Sequence, residues 1–153
     1  MPWFGSRSTS RVDKPAILSE IQQQLPLIVQ VNAQRANWPG RLTGIYGEAA
    51  ADQATGTTDH GILVLLETAG RVVGISTTNN SFWVGSFQSG TIEATYVNQG
   101  GMKGALSLQF APDGGHVAGT WRVQADSGSY KAYRTASFDQ ATVMSKLEGI
   151  PVG

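Results

Sequence analysis

The chain contains no cysteine, which excludes disulfide bonds, thiolate metal sites and a cysteine nucleophile. Charged residues make up only 14% of its 153 residues, well below the share usual in soluble domains, and the formal net charge is zero. Sparse and balanced charge gives no general attraction to polyanions, so no nucleic-acid partner is predicted. No apolar run approaches the length that a membrane-spanning helix needs, so no membrane span is predicted.

The opening segment, MPWFGSRSTSRVDKP, lacks the continuous apolar stretch of a secretion signal, and a cytoplasmic location is therefore predicted. Residues 1–14 are predicted to be a flexible N-terminus, because they are polar and bear Gly, Ser and Arg. Residues 15–38 are predicted to be a helical segment that packs on the main domain, after a start signal at Asp13 and Pro15. Pro26 then interrupts the pattern, and the following residues fit either a second helix or a short strand.

Glycine is abundant, with 19 copies, and several of them lie in a sequence pattern that occurs twice. Residues 61–76 read GILVLLETAGRVVGIS, and residues 104–121 read GALSLQFAPDGGHVAGTW. Each copy has alternating leucines, a turn that contains Gly and a closing x-Val-x-Gly, which is the pattern of a β-hairpin. Two hairpins of one type indicate a meander of short antiparallel strands.

Eight strands separated by turn signals are predicted in the domain that spans residues 39–136. They are residues 42–46, 61–67, 72–77, 82–87, 91–97, 105–110, 116–123 and 129–134, with 47–59 as the one long connection. Eight such strands can close a barrel that has no free edge, whereas the crossovers of a two-sheet sandwich would need longer loops. The predicted fold is therefore all-β: an eight-stranded antiparallel up-and-down β-barrel with an N-terminal helical segment. Residues 137–153 are predicted to form a short C-terminal helix and an exposed tail, EGIPVG.

Several short motifs resemble calycin barrels, the group of lipocalins and avidin-like proteins. Gly44-Ile45-Tyr46 resembles the Gly-x-Trp that opens such barrels, with Tyr in place of Trp. Arg134 stands where an Arg often packs across that aromatic residue in the family. The repeated hairpin and Gly119-Thr120-Trp121 are similar to small calycin-like bacterial barrels. The resemblance covers residues 41–135 and implies a small barrel, but it assigns no ligand.

Alignment of the two hairpins predicts which side chains face the lumen. In the second copy the leucine face is inward, so Leu63 and Leu65 face inward in the first copy. The opposite face of that strand is then Ile62, Val64 and Leu66, a row of large aliphatics that should not meet water. Either the chain's own N-terminal segment covers this row, or the row is an interface with another copy of the chain or with a protein partner.

Aromatic residues on the predicted strands are the candidate ligand-binding residues. They are Tyr46, Trp83, Tyr96 and Trp121. Trp and Tyr combine apolar area with a polar group, which suits a pocket that orients a small organic ligand, although the same residues are common in barrel cores.

Glu67 aligns with Phe110 at the inner end of its strand. It is either a polar ligand contact or acid/base with a raised pKa, or a solvated residue at the rim. Glu93 invites the same two interpretations.

No catalytic motif, metal-ligand spacing or phosphate-binding loop is present, so no catalytic residue, metal or cofactor is predicted. Three functions remain open. The barrel could bind a small hydrophobic or aromatic ligand. It could be a structural or interaction barrel with a filled interior. It could also be a shape-driven cyclase or isomerase of secondary metabolism, which needs few catalytic groups and leaves little trace in a sequence. The volume of the lumen distinguishes the second function from the other two.

Overall fold

A computed structural model describes residues 12–152 of the chain. The prediction of a flexible N-terminus falls mainly on residues 1–11, which lie outside the described residues. Within the described residues, eight antiparallel strands form a closed barrel in which each strand pairs with its neighbours in sequence and β1 pairs with β8. The predicted fold class is confirmed.

The strands are β1 (Gly44–Asp52), β2 (Thr58–Thr68), β3 (Arg71–Ser76), β4 (Ser81–Gln88), β5 (Thr91–Val97), β6 (Lys103–Phe110), β7 (His116–Val123) and β8 (Asp126–Arg134). Helix α1 (Lys14–Ala33) and a 3-10 turn (Arg35–Asn37) precede them, and helix α2 (Gln140–Glu148) follows. The two hairpins of the repeated pattern are β2–β3 and β6–β7.

Alternate strands run in opposite directions, so the connections separate into two ends of the barrel. The end that carries the β1–β2, β3–β4, β5–β6 and β7–β8 connections is called the mouth. The other end carries the remaining connections and the segment that enters β1, and it is called the closed end. The tight β2–β3 and β4–β5 turns at the closed end use Ala69-Gly70 and Ser89-Gly90, all four with positive φ, as the type I′ hairpin turn requires.

The long connection predicted over residues 47–59 is wrong. Strand β1 continues to Asp52, and only residues 53–57 lie between it and β2. Ala49, Ala50 and Ala51 pair with β2 on one side and with β8 on the other. Alanine has a low strand preference, so this stretch resembles a loop in sequence, but hydrogen bonding from two neighbours holds it extended.

The barrel strands separate two apolar layers. The inner layer fills part of the lumen with alternate strand residues, among them Leu63, Leu65, Trp83, Leu106 and Leu108. The outer layer lies between β1–β4 and the two helices. Ile62, Val64 and Leu66 belong to this outer layer and pack with helix residues such as Ile21 and Leu25. The row is therefore covered by the chain's own helices and is not free to form an interface with another subunit.

Helix α1 passes through Pro26 without a break, so the predicted interruption is wrong. Proline inside a helix removes one hydrogen bond and costs about 3 kcal/mol. Pro26 is exposed, which leaves the affected turn open to solvent, while Leu25, Ile28 and Val31 are buried on the opposite side. Burial of this apolar face offsets the penalty and keeps Ile28 and Val31 helical despite their β-branched side chains.

The C-terminal helix begins at its cap, Asp139, whose carboxylate accepts a hydrogen bond from the Thr142 amide at 2.7 Å. Val143 and Leu147 pack against the outer layer. The tail EGIPVG was expected to be exposed, but Ile150 is buried in the same layer, which corrects that expectation.

Arg134, the last residue of β8, fills the closed end. Its guanidinium donates to the Thr43 carbonyl at 2.9 Å and to the Tyr46 hydroxyl at 2.6 Å. It also lies over the rings of Trp38 and Tyr46, at 5.3 and 4.9 Å from their centroids. Helix α1 joins this cluster through Asn32, whose side-chain oxygen accepts from the Ile45 amide.

Leu25 and Leu27 give a matched test of the outer layer, because they lie on one helix with exposures of 0% and 46%. We expect Leu25→Ala to lower the free energy of unfolding by about 2–5 kcal/mol, since it leaves a cavity between α1 and the barrel. Leu27→Ala should change it by less than about 0.5 kcal/mol. Denaturant titration measures both values. Equal effects of the two substitutions would contradict the packing of α1 described above.

Candidate functional site

The mouth of the barrel contains a cavity of about 270 Å³. It extends from the ends of the strands at the mouth to the aromatic residues in the middle of the lumen. Four aromatic side chains line it: Trp83, Tyr96, Trp121 and Tyr130. The lumen is therefore filled at the closed end and open at the mouth.

The aromatic walls are held in fixed positions. The rings of Trp83 and Tyr130 meet edge to face, with centroids 5.4 Å apart. The indole N–H of Trp121 donates to the Ala51 carbonyl oxygen at 3.0 Å, which ties this ring to β1. Trp83 and Tyr130 are almost fully buried, whereas Trp121 is half-buried. Such a pre-formed wall loses little conformational entropy when a ligand binds.

Glu48 lies behind the cavity wall and is only 3% exposed. One carboxylate oxygen accepts hydrogen bonds from the hydroxyl of Ser76 at 2.6 Å and from the amide and hydroxyl of Thr78. The other oxygen accepts from the Tyr130 hydroxyl. Ser76, Thr78 and Tyr130 all line the cavity, so one buried carboxyl organises the polar side of the wall.

Burial raises the pKa of Glu48 above its ordinary value of 4.5, although its four hydrogen bonds favour the charged form and oppose the shift. The pKa of Tyr130 is raised well above 10, first by burial and then by the negative charge of Glu48. Burial also raises the pKa of Tyr96 to about 12. Both tyrosines therefore keep their hydroxyl protons at neutral pH.

The rim of the cavity carries three aspartates: Asp52, Asp59 and Asp126. Asp52 is half-buried at the end of β1, and its carboxylate accepts from the Ala54 amide at 2.8 Å. Asp59 and Asp126 are exposed at the starts of β2 and β8. The rim is thus polar and acidic, while the deeper wall is aromatic.

Of the aromatic residues predicted to bind a ligand, Trp83, Tyr96 and Trp121 come together around the cavity. Tyr46 does not line it. It lies at the closed end, where its hydroxyl donates to the Leu42 carbonyl at 2.6 Å and accepts from Arg134. Tyr46 became a candidate because it lies on a predicted strand, but a position on a strand does not say which end of the barrel a side chain occupies.

The two glutamates named from the sequence also lie outside the cavity. Glu67 is half-buried beside the β2–β3 turn at the closed end, where its carboxylate accepts from the Gly70 amide at 2.8 Å. Glu93 is exposed on the outer face and accepts from the Ser107 hydroxyl. Both side chains have local structural partners in a solvated setting.

Sequence reasoning missed Glu48 as a buried carboxyl and left Tyr130 out of the ligand-binding set. Glu48 was placed in a connection because the alanines that follow it hide the strand. The available signal was the alternation of Tyr46, Glu48 and Ala50, which places all three on one face once β1 is extended.

No group of three or more potential metal ligands is found among residues 12–152. His60 is exposed, and the ring of His116 stacks on Tyr133 with centroids 5.2 Å apart. In this part of the chain, neither helix has the length and apolar character needed to cross a bilayer.

No family model matches the chain, and no curated protein sequence matches it. The similar solved structures include redesigned β-barrels. The structure of mFAP1 bound to DFHBI has a TM-score of 0.52 and 8% identity, over 61% of this chain and 94% of the other. That of mFAP0 bound to DFHBI has a TM-score of 0.50 and 10% identity, over 61% and 98%. At such low identity the similarity concerns the small closed barrel alone, and it does not identify the calycin family.

Substitution of Glu48 tests its buried position. When the pKa of an acidic group is higher in the folded than in the unfolded state, the folded state binds more protons at pH values between the two. The protein therefore loses stability as the pH rises from the unfolded pKa through the folded pKa. We therefore expect wild-type protein to lose stability relative to Glu48→Gln as the pH rises from 4.5 through the raised pKa. Denaturant titrations across this range measure the difference.

Glu93→Gln serves as the control, because it makes the same substitution on the exposed outer face. Its stability should follow that of the wild-type protein across the range. A constant difference between wild type and Glu48→Gln at every pH would contradict a raised pKa at Glu48.

Proposed function

We propose that this barrel binds a small aromatic or hydrophobic ligand in the cavity at its mouth. The observation that carries the proposal is an open cavity walled by Trp83, Tyr96, Trp121 and Tyr130 in a barrel whose other end is packed. Ligand sites in proteins are concave and mostly apolar, with a few polar groups placed to orient the ligand. The mouth cavity has each of these properties.

The volume of the cavity limits the size of the ligand. At about 270 Å³ it falls just below the range of about 300–1,000 Å³ typical of pockets for drug-sized molecules. A compact ligand of about one or two rings matches this volume and could place a flat face against Trp83 or Trp121. A longer ligand would extend past the aspartates into solvent.

The redesigned barrels support the proposal in general terms. Both mFAP1 and mFAP0 are barrels of similar fold bound to DFHBI, a small molecule. An eight-stranded barrel is just wide enough either to fill with side chains or to hold one small ligand. In the present chain side chains fill the closed end, and we assign the ligand to the mouth.

An interaction barrel with a filled interior is the less favoured function. Its contact surface would be the row Ile62, Val64 and Leu66, which the two helices cover, or the N-terminal helix, or the tail EGIPVG. It would also require a packed lumen along its whole length.

Two alanines on β1 provide a direct test, because Ala50 faces the cavity and Ala49 occupies the opposite face of the same strand. The probe is 2-phenylethanol, a neutral aromatic molecule, followed by the indole N–H peaks in ¹H–¹⁵N spectra. In wild type we expect saturable shifts for Trp83 and Trp121, while Trp38 at the closed end stays in place. Ala50→Phe should abolish the shifts because it fills the cavity, and Ala49→Phe should retain them.

Native mass spectrometry of protein from its own source supplies a second measurement. A non-covalent passenger that Ala50→Phe loses and Ala49→Phe keeps would support the proposal. Shifts that are equal for all three indoles, or unaffected by Ala50→Phe, would contradict binding at the mouth.

A further inference from the structure

We infer that the mouth cavity selects an aromatic ammonium ion over a neutral or anionic molecule of the same shape. The inference rests on the proposed function and specifies the chemical class of the ligand. It is carried by two features of the cavity: the direction of the hydrogen bonds in its wall and the sign of the charges at its rim.

The hydroxyl protons on the polar side of the wall already take part in hydrogen bonds. Ser76, Thr78 and Tyr130 each donate their hydroxyl proton to Glu48. A hydroxyl has one proton and two lone pairs, so these groups have only lone pairs left for any partner in the cavity. These three hydroxyls therefore present acceptors, and not donors, to the cavity. An ammonium group, which has only donors, complements these three oxygens, whereas a carboxylate has no proton to offer them.

The charged residues that line the cavity share one sign. Asp52, Asp59 and Asp126 are carboxylates, and no Lys, Arg or His of the described residues lines the cavity. Lys14 approaches the rim from α1, where its ammonium lies 3.5 Å from the Asn98 carbonyl oxygen. Lys103 and Arg122 lie at the mouth ends of β6 and β7, but neither they nor Lys14 line the cavity. The charges that line it are all negative, which favours cations over anions inside it.

The aromatic wall favours the same class of ligand. The faces of Trp and Tyr rings carry partial negative charge, and they attract a cation by about 0.5–2 kcal/mol, with the larger values where water is excluded. Trp83 and Tyr130 are nearly fully buried around the deeper part of the cavity. A ligand with a flat ring and a nearby ammonium could thus use the aromatic wall and the hydroxyl oxygens of Ser76, Thr78 and Tyr130 together.

Three probes with one carbon skeleton test the inference: 2-phenylethylammonium, 2-phenylethanol and phenylacetate. Titrations at neutral pH follow the indole N–H peaks of Trp83 and Trp121. We expect the ammonium ion to bind about tenfold more tightly than the alcohol, and phenylacetate to bind most weakly.

The double variant Asp59→Asn/Asp126→Asn removes two rim charges without changing the size of the side chains. It should reduce the ratio of the ammonium ion's affinity to the alcohol's affinity by about threefold or more. The control is Glu93→Gln/Asp113→Asn, which removes two negative charges from exposed positions outside the cavity. Its preference should equal that of the wild type.

The outcomes separate this inference from the proposed function. If the alcohol binds as tightly as the ammonium ion, or if the rim variant and its control behave alike, the cation selectivity is overturned while ligand binding stands. If none of the three probes gives a saturable shift, both the inference and the proposed function are overturned.

Discussion

A single buried cation organises one end of this barrel and so determines where the lumen can be open. Arg134 ends β8, binds the carbonyl of Thr43 in the segment that leads into β1, and stacks on Trp38 and Tyr46. Burial lowers the pKa of Arg134, and its hydrogen bond to the Tyr46 hydroxyl opposes that shift. The same cluster leaves no room for a side chain at Gly44, where a Cβ would lie 2.7 Å from the Asn32 side-chain oxygen. Because this end is filled, the lumen opens at the other end, where the cavity lies.

The two faces of the sheet explain why the strands differ so much in composition. Strands β1–β4 are covered outside by the helices, and β2 is therefore a nearly continuous apolar run. Strands β6 and β8 face solvent outside and alternate between buried and exposed residues. The helices thus stabilise the barrel from one side without entering the lumen. The mouth remains free to carry polar groups whose positions depend on Glu48 and its three hydroxyl partners.

Alternation along the repeated hairpin was enough to predict the barrel, the inward leucines and the covered outer row. Three of the aromatic residues named because they lie on predicted strands, Trp83, Tyr96 and Trp121, line one cavity. Alternation failed where tertiary pairing overrides local preference, as in the alanines after Glu48 and in α1 beyond Pro26. It also could not assign Tyr46 to an end of the barrel, because that depends on which strand ends meet. Because the alanines after Glu48 resemble a loop, Glu48 was not recognised as a strand residue. The polar half of the candidate site was missed for the same reason.

Closure of the barrel bears on the rate of folding. Every ladder joins strands adjacent in sequence except the one between β1 and β8, which brings residues 44–52 to residues 126–134. Pairing across such a separation carries a large loop-closure entropy and is slow compared with hairpin formation. Glu48 belongs to β1 and Tyr130 to β8, so the polar wall of the cavity is assembled only when this ladder forms. Formation of the candidate site and closure of the barrel therefore occur together, and a chain stalled before closure would have its hairpins but not this wall.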